Sequence, residues 1–275
     1  MSTAPALAPR TAARPKFSIV REDPRLEVEL AVSRKARAAL VVASGGCTAL
    51  TLKRLLPRLE VTAFDINPDQ LAHIEAKQDA IAARELRALN VGDDAPGGLN
   101  QSGHFEGLFR LLRSYVREFV APGDELPRFF DPRTPELERS ELLARWTSTR
   151  YWPAAFTVAF EAGLLHAMFG PEATRHAAPG SYPGYFQRAF ERGLNQPDAW
   201  ANPFLQHVLL GCWTPDAAPP YVSAGAPLPL ELVHGTLTDV PQPGRFDLFS
   251  LSNVFDWSDD ALVTAWAHHL KRHAR

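Results

Sequence analysis

The chain has 275 residues, with 29 Lys and Arg against 31 Asp and Glu, a formal net charge of −2. That balance gives no electrostatic footprint for nucleic acid. Two cysteines, Cys47 and Cys212, are too few for a disulfide framework or a cysteine-based zinc site. No apolar run approaches the roughly 20 residues that span a bilayer, and the N-terminus lacks the apolar core of a secretory signal, so a cytoplasmic globular protein is expected.

Residues 1–15, rich in Ala, Pro, Arg and Thr without periodicity, read as a disordered tail. A helix is expected within 26–40. Residues 38–43 form a short apolar run, a strand, followed at once by Ser44-Gly45-Gly46-Cys47-Thr48. Helical spacing over 49–56 ends at Pro57. Residues 60–64 predict a second strand that ends in Asp65, and Asn67-Pro68 opens a helix over 69–89 with Leu71, Ile74, Ile81 and Leu86 on one face. Strand, glycine turn, helix, strand, acid, helix is the start of a doubly wound α/β sheet.

Residues 90–229 exceed any connection that such a sheet requires. Helical patterns at 105–119, 138–146, 151–169, 182–192 and 203–210 make this stretch a helical insertion, with Pro215, Pro219, Pro220, Pro227 and Pro229 marking the return loop. Strands at 230–235 and 246–252 and a helix at 259–269 then complete the sheet domain. The expected organisation is a Rossmann-like domain in two parts, 16–89 and 230–275, split by a helical cap over 90–229.

Three segments carry the chemistry. The turn Ser44-Gly45-Gly46-Cys47-Thr48 lets backbone approach a ligand and offers free helix N–H groups, while Asp65 can take both hydroxyls of a ribose. The glycine pair lacks the full dinucleotide spacing, so the nucleoside-site reading depends on the strand context and Asp65. The second segment, His234-Gly235-Thr236-Leu237-Thr238-Asp239, leaves the third strand, and its small polar residues suit the edge of an adenine. The third, Ser250-Leu251-Ser252-Asn253 with Asp256, leaves the fourth strand at the carboxyl edge where such sheets bind ligands. Cys47 and Cys212 read as packed side chains. His268, His269 and His273 read as a solvated helix end, and no metal site is expected. Trp146, Trp152, Trp200 and Trp213 read as core of the insertion.

Together these segments resemble the S-adenosylmethionine-binding domain of class I methyltransferases. Within that superfamily, Arg21-Glu22-Asp23-Pro24, the run from Ser44 to Leu50, and Phe64-Asp65-Ile66-Asn67-Pro68-Asp69-Gln70 resemble the betaine-lipid synthase family, the diacylglycerol 3-amino-3-carboxypropyl transferases. Gly103-His104-Phe105-Glu106, Asn202-Pro203-Phe204 and the segment from Leu251 to Trp257 resemble further elements of the same family. The resemblance covers 16–270. It implies S-adenosylmethionine as cofactor, bound by the turn, by Asp65, Ile66, Asn67 and Gln70, and by the two later segments. It implies transfer of the 3-amino-3-carboxypropyl group to a lipid or other small-molecule acceptor, with peripheral membrane contact. Asp256 is the first candidate for a general base and Glu106 the second, and Arg21 is a candidate partner for the methionine carboxylate. Two other functions stay open: methyl transfer to a small molecule, and a catalytically inactive cofactor-binding or scaffold protein. The superfamily sheet has about three strands more than the four expected here, so the last strand is an edge. Three explanations stay open: a C-terminally incomplete chain, a partner chain over that edge, or a minimal fold.

Overall fold

The computed structural model describes residues 15–170, 178 and 180–273, with the backbone alone at 169, 256 and 257. The tail expected at 1–15 lies outside the described residues except for Pro15, which is buried.

The sheet has four strands, β1 (Ala38–Val42), β2 (Glu60–Asp65), β3 (Glu231–His234) and β4 (Leu248–Ser250), all parallel, in the order β3-β2-β1-β4. The chain runs outward from β1 through β2 to β3, then returns to the other side of β1 for β4. The order therefore reverses between β1 and β4, and a crevice opens at their carboxyl ends. Ala39, Leu40 and Val41 are fully buried, as a central parallel strand covered on both faces demands. One face packs on α1 (Arg25–Ser33), α2 (Cys47–Leu55) and α3 (Pro68–Ala83) through Ala31, Ala49, Leu52, Leu71 and Ile74. The other packs on α11 (Asp260–His273) through Leu40, Phe64, Phe246 and Trp266.

The insertion forms its own helical core. It comprises α4 (His104–Phe119), α5 (Glu125–Phe130), α6 (Glu136–Ser148), α7 (Tyr151–Ala159), α8 (Ala162–Phe169), α9 (Ser181–Leu194) and α10 (Pro203–Leu209). Phe109, Leu112, Phe129, Trp146, Trp152, Phe156 and Phe160 fill that core. Its two ends meet the sheet domain side by side: Val91 and Trp213 form a parallel bridge, with Trp213 N–H donating to Asn90 O at 2.9 Å and Gly92 N–H to Trp213 O at 2.8 Å.

Several expectations from the sequence are corrected. The single helix over 151–169 is two helices, because Phe160 ends α7 and the Glu161 carboxylate accepts the Leu164 N–H at 2.9 Å, which starts α8 afresh. The helix over 69–89 stops at Ala83, where Arg84 turns left-handed (φ 59°) and closes the last turn onto Ala80 O and Ile81 O. The short α5, with Pro127 inside it, carries too few residues for a periodic signal. Trp213 is not in the insertion core. It packs with Leu50, Ile81 and Tyr221 beneath α2 and α3. No helix among the described residues is long and apolar enough to cross a membrane.

Candidate ligand-binding site

At the carboxyl ends of the strands lies a cavity of about 440 Å³, within the range of roughly 300–1,000 Å³ usual for small-molecule sites. Each strand end contributes to its wall: Ser44 after β1, Asp65 to Asn67 after β2, Gly235 and Thr236 after β3, and Ser252 to Val254 after β4.

The wall beside β1 is built on close packing. Residues 15–20 cross directly over the glycine turn. A Cβ on Gly45 would sit 2.5 Å from Ile19 Cα and 2.6 Å from Ile19 N, closer than any side chain permits. Gly46 (φ 81°) starts α2 in the left-handed region and abuts Ile74.

This strap is held from three sides. From α3, Gln70 donates to Phe17 O (2.9 Å) and Ser44 O (2.5 Å) and accepts the Phe17 N–H (3.2 Å). One turn further along, His73 Nε2 meets Ser18 O at 3.0 Å. Another turn on, the Lys77 ammonium donates to Ser18 O (2.5 Å) and Gly45 O (2.7 Å). The spacing of 70, 73 and 77 places all three on one helix face. From the insertion, the first amides of α4 donate to strap carbonyls, His104 N–H to Pro15 O and Phe105 N–H to Lys16 O. Beneath, Val20 N–H meets Cys47 Sγ at 3.4 Å and Tyr221 Oη lies 3.3 Å from the same sulfur.

Asp65 sits at the tip of β2. One carboxylate oxygen accepts the Asn67 N–H at 2.9 Å and the other accepts the Ser44 N–H at 3.1 Å. Burial pushes this carboxyl above its ordinary value, against the opposing pull of those two amides and of Lys16. Each oxygen keeps a lone pair, so the group can still accept hydrogen bonds from a ligand. Asn67 in turn caps α3, accepting the Asp69 N–H at 3.0 Å ahead of Pro68.

Of the residues expected at the site, Ser44, Asp65, Ile66, Asn67, Gln70, Gly235, Thr236, Ser252 and Asn253 line the cavity. Others hold its frame. Gly45, Gly46, Cys47 and Thr48 lie behind the wall, the last two buried. Leu237 is fully buried, packed beside Phe64 and Phe246, and Thr238 bonds to Thr236 within a capping turn. Ser250 donates to Glu27 on α1 at 2.9 Å, and Leu251 packs in the core. Arg21 and Glu106 meet each other instead of the cavity. Arg21 Nη2 lies 2.6 Å from Glu106 Oε1, its guanidinium covers the rings of Phe109 (4.2 Å) and Phe105 (5.0 Å), and Glu106 also accepts the Ser18 N–H at 2.9 Å. The side chain of Asp256 lies outside the described residues. Its backbone belongs to the tight turn Val254–Trp257 that follows β4.

Lys16, Phe17, Leu262 and Trp266 line the cavity and were missed in the sequence. Trp266 Nε1 is buried with no partner among the described residues. For Lys16 and Phe17 a signal existed: a basic–aromatic pair at the start of the ordered sequence. For Leu262 and Trp266 it was only the apolar face of α11.

The histidine in the clamp gives a pH signature. Burial, and next the neighbouring Lys77, bring His73 down to about 3, and burial also holds His207 well below its ordinary value. Both are therefore neutral when folded, whereas the unfolded chain protonates them near pH 6.5. Unfolding free energy should fall as pH drops below 6.5, by about 1.4 kcal/mol per pH unit for each histidine. Urea unfolding between pH 7 and 5 measures this, and His73→Gln should flatten the slope. An unchanged slope would mean that His73 is charged in the fold.

Comparison with known proteins gives no match, whether to a family model, to a curated protein or to a solved structure.

Proposed function

We propose that the cavity binds S-adenosylmethionine and that the protein transfers its 3-amino-3-carboxypropyl group to a nucleophilic acceptor, a diacylglycerol-like lipid or another small nucleophile. The observation that carries this reading is Asp65, half-buried at the tip of β2 in a crevice where the strand order reverses, with spare acceptor capacity. The residues fit a nucleoside: Asp65 would accept its ribose hydroxyls, and Ile66, Phe64 and Leu262 supply apolar walls for a base. The choice of group rests on the resemblance of the motifs from Arg21 to Trp257.

When bound, the sulfonium of such a cofactor makes its γ-carbon electrophilic. A bond forms from the acceptor to that carbon, the carbon–sulfur bond breaks with its electron pair going to sulfur, and methylthioadenosine leaves. The protein's part is to hold the reactants in line, exclude water and accept the acceptor's proton. Asp256, in the turn directly after cavity residues Asn253 and Val254, is the proposed base. The Glu106 carboxylate, already shared by Arg21 and Ser18, is a structural anchor.

Chromatography of a reaction with S-adenosylmethionine and an extract of small molecules and lipids tests the reading. Methylthioadenosine is the expected coproduct, S-adenosylhomocysteine would mean methyl transfer, and failure to bind the cofactor would leave a scaffold role. Asp256→Asn should lower turnover by about a hundredfold or more while cofactor affinity is kept. Full activity in that variant would remove Asp256 from the mechanism.

A further inference from the structure

Arg21, the cation expected to meet the methionine carboxylate, is engaged elsewhere, by Glu106 and two phenylalanine rings. A second cation reaches the cavity. Among the described residues that line it, Lys16 is the one positive charge and Asp65 the one negative charge. The Lys16 ammonium has no ion-pair or hydrogen-bond partner among the described residues, and it lies near enough to Asp65 to pull that carboxyl's pKa down. Its backbone, by contrast, is fixed. The Lys16 carbonyl accepts the Phe105 N–H at 2.9 Å, and the next residue, Phe17, is gripped at both its N–H and its carbonyl by Gln70, which also holds Ser44 of the glycine turn. A fixed backbone bearing a free, exposed ammonium at a cavity rim is a prepared counter-ion for an anionic part of a ligand.

We infer that Lys16 pairs with the carboxylate of the amino-acid arm of the bound nucleoside and so selects ligands that carry that carboxylate. The inference rests on the proposal that the cavity takes S-adenosylmethionine. The division of the site follows from charge. Asp65 can only accept, so it suits hydroxyls. The apolar walls from β2 and α11 suit a base. The carboxylate then meets the strap, where it gains a charge-assisted hydrogen bond in a partly enclosed site. Because the same strap carbonyls are bonded to the first amides of α4, the helical insertion and the counter-ion are mechanically joined.

Titration calorimetry with three nucleosides tests this. S-adenosylmethionine has the carboxylate and the amine, decarboxylated S-adenosylmethionine keeps only the amine, and methylthioadenosine has neither. Lys16→Met should weaken S-adenosylmethionine about tenfold and leave methylthioadenosine within about twofold. Lys16→Arg should restore most of the loss. Lys16→Glu should reverse the preference, binding the decarboxylated cation better than S-adenosylmethionine. The side chain is exposed, so the Lys16→Met thermal midpoint should stay near that of the wild type. Equal weakening of S-adenosylmethionine and methylthioadenosine, or no weakening of either, overturns the role of Lys16 while leaving the nucleoside site intact. A wild-type protein that binds none of the three overturns the cofactor reading and this inference with it.

Discussion

Asp65→Ala is expected to weaken S-adenosylmethionine binding by about a hundredfold or more. Two hydrogen bonds from ligand hydroxyls to a carboxylate are each worth roughly 1.5–3 kcal/mol when partly desolvated. The same substitution strips a partner from the Ser44 and Asn67 amides, which loosens the glycine turn. Asp65→Asn separates the two effects, because its side-chain oxygen can still accept from one amide while the charge is lost. The sign with pH follows from burial. On the proposed reading the ribose hydroxyls need the ionised carboxylate, and burial raises the pH at which that carboxylate takes up a proton. Affinity should therefore fall as pH falls, beginning above the range of an ordinary aspartate, and Asp65→Asn should abolish that dependence. Calorimetry across pH 4–7 measures both. Wild-type affinity in Asp65→Ala would mean that the nucleoside does not bind at the tip of β2.

The second large effect is expected at Arg21, and it is an effect on stability. Glu106 is fully buried and Arg21 is 19% exposed at the side chain, so removing the cation leaves a carboxylate without its charge partner. Such losses cost about 3–5 kcal/mol, and the stacking over Phe105 and Phe109 is lost as well. Arg21→Met should thus lower the thermal midpoint by roughly 5–10 °C. Arg21→Met combined with Glu106→Gln should recover much of this, because the neutral amide can still accept the Ser18 N–H and the carboxylate that lost its ion-pair partner is gone. If Arg21→Met instead kept its midpoint and lost S-adenosylmethionine selectively over methylthioadenosine, Arg21 would be the carboxylate partner and its pairing with Glu106 incidental.

The two residues illustrate how far the sequence could be read. Asp65 was legible because its position is set locally. A short apolar run ends in an acid, and Asn67-Pro68 supplies a cap and a first-turn proline two and three residues later. Arg21 and Glu106 were legible as chemistry, but not as partners. Eighty-five positions separate them, and nothing in the spacing of either segment says that residues 15–21 cross the glycine turn and meet the start of α4. The helix break at Phe160 shows the same limit on a smaller scale. The apolar pattern of 151–169 runs through it, and the break is a single cap, the Glu161 carboxylate on the Leu164 N–H, which an apolar period does not register.

Read from consecutive residues alone were the alternation of strand, glycine turn, helix, strand and acid, the second pair of strands after a helical insertion, and the residues at each strand's end. These depend on period, on glycine where backbones touch, and on caps, all properties of a few consecutive residues. Which of those residues face the cavity depends on the packing of distant segments. Cys47, Thr48, Leu237 and Ser250 turn away from it, while Lys16 and Phe17 arrive from the strap and Leu262 and Trp266 from α11. The physical reason is that a side chain's direction at a strand end or in a turn is set by what packs against it. Here that is a carbonyl of Ser18, a buried lysine and the first turn of a helix more than 80 residues away.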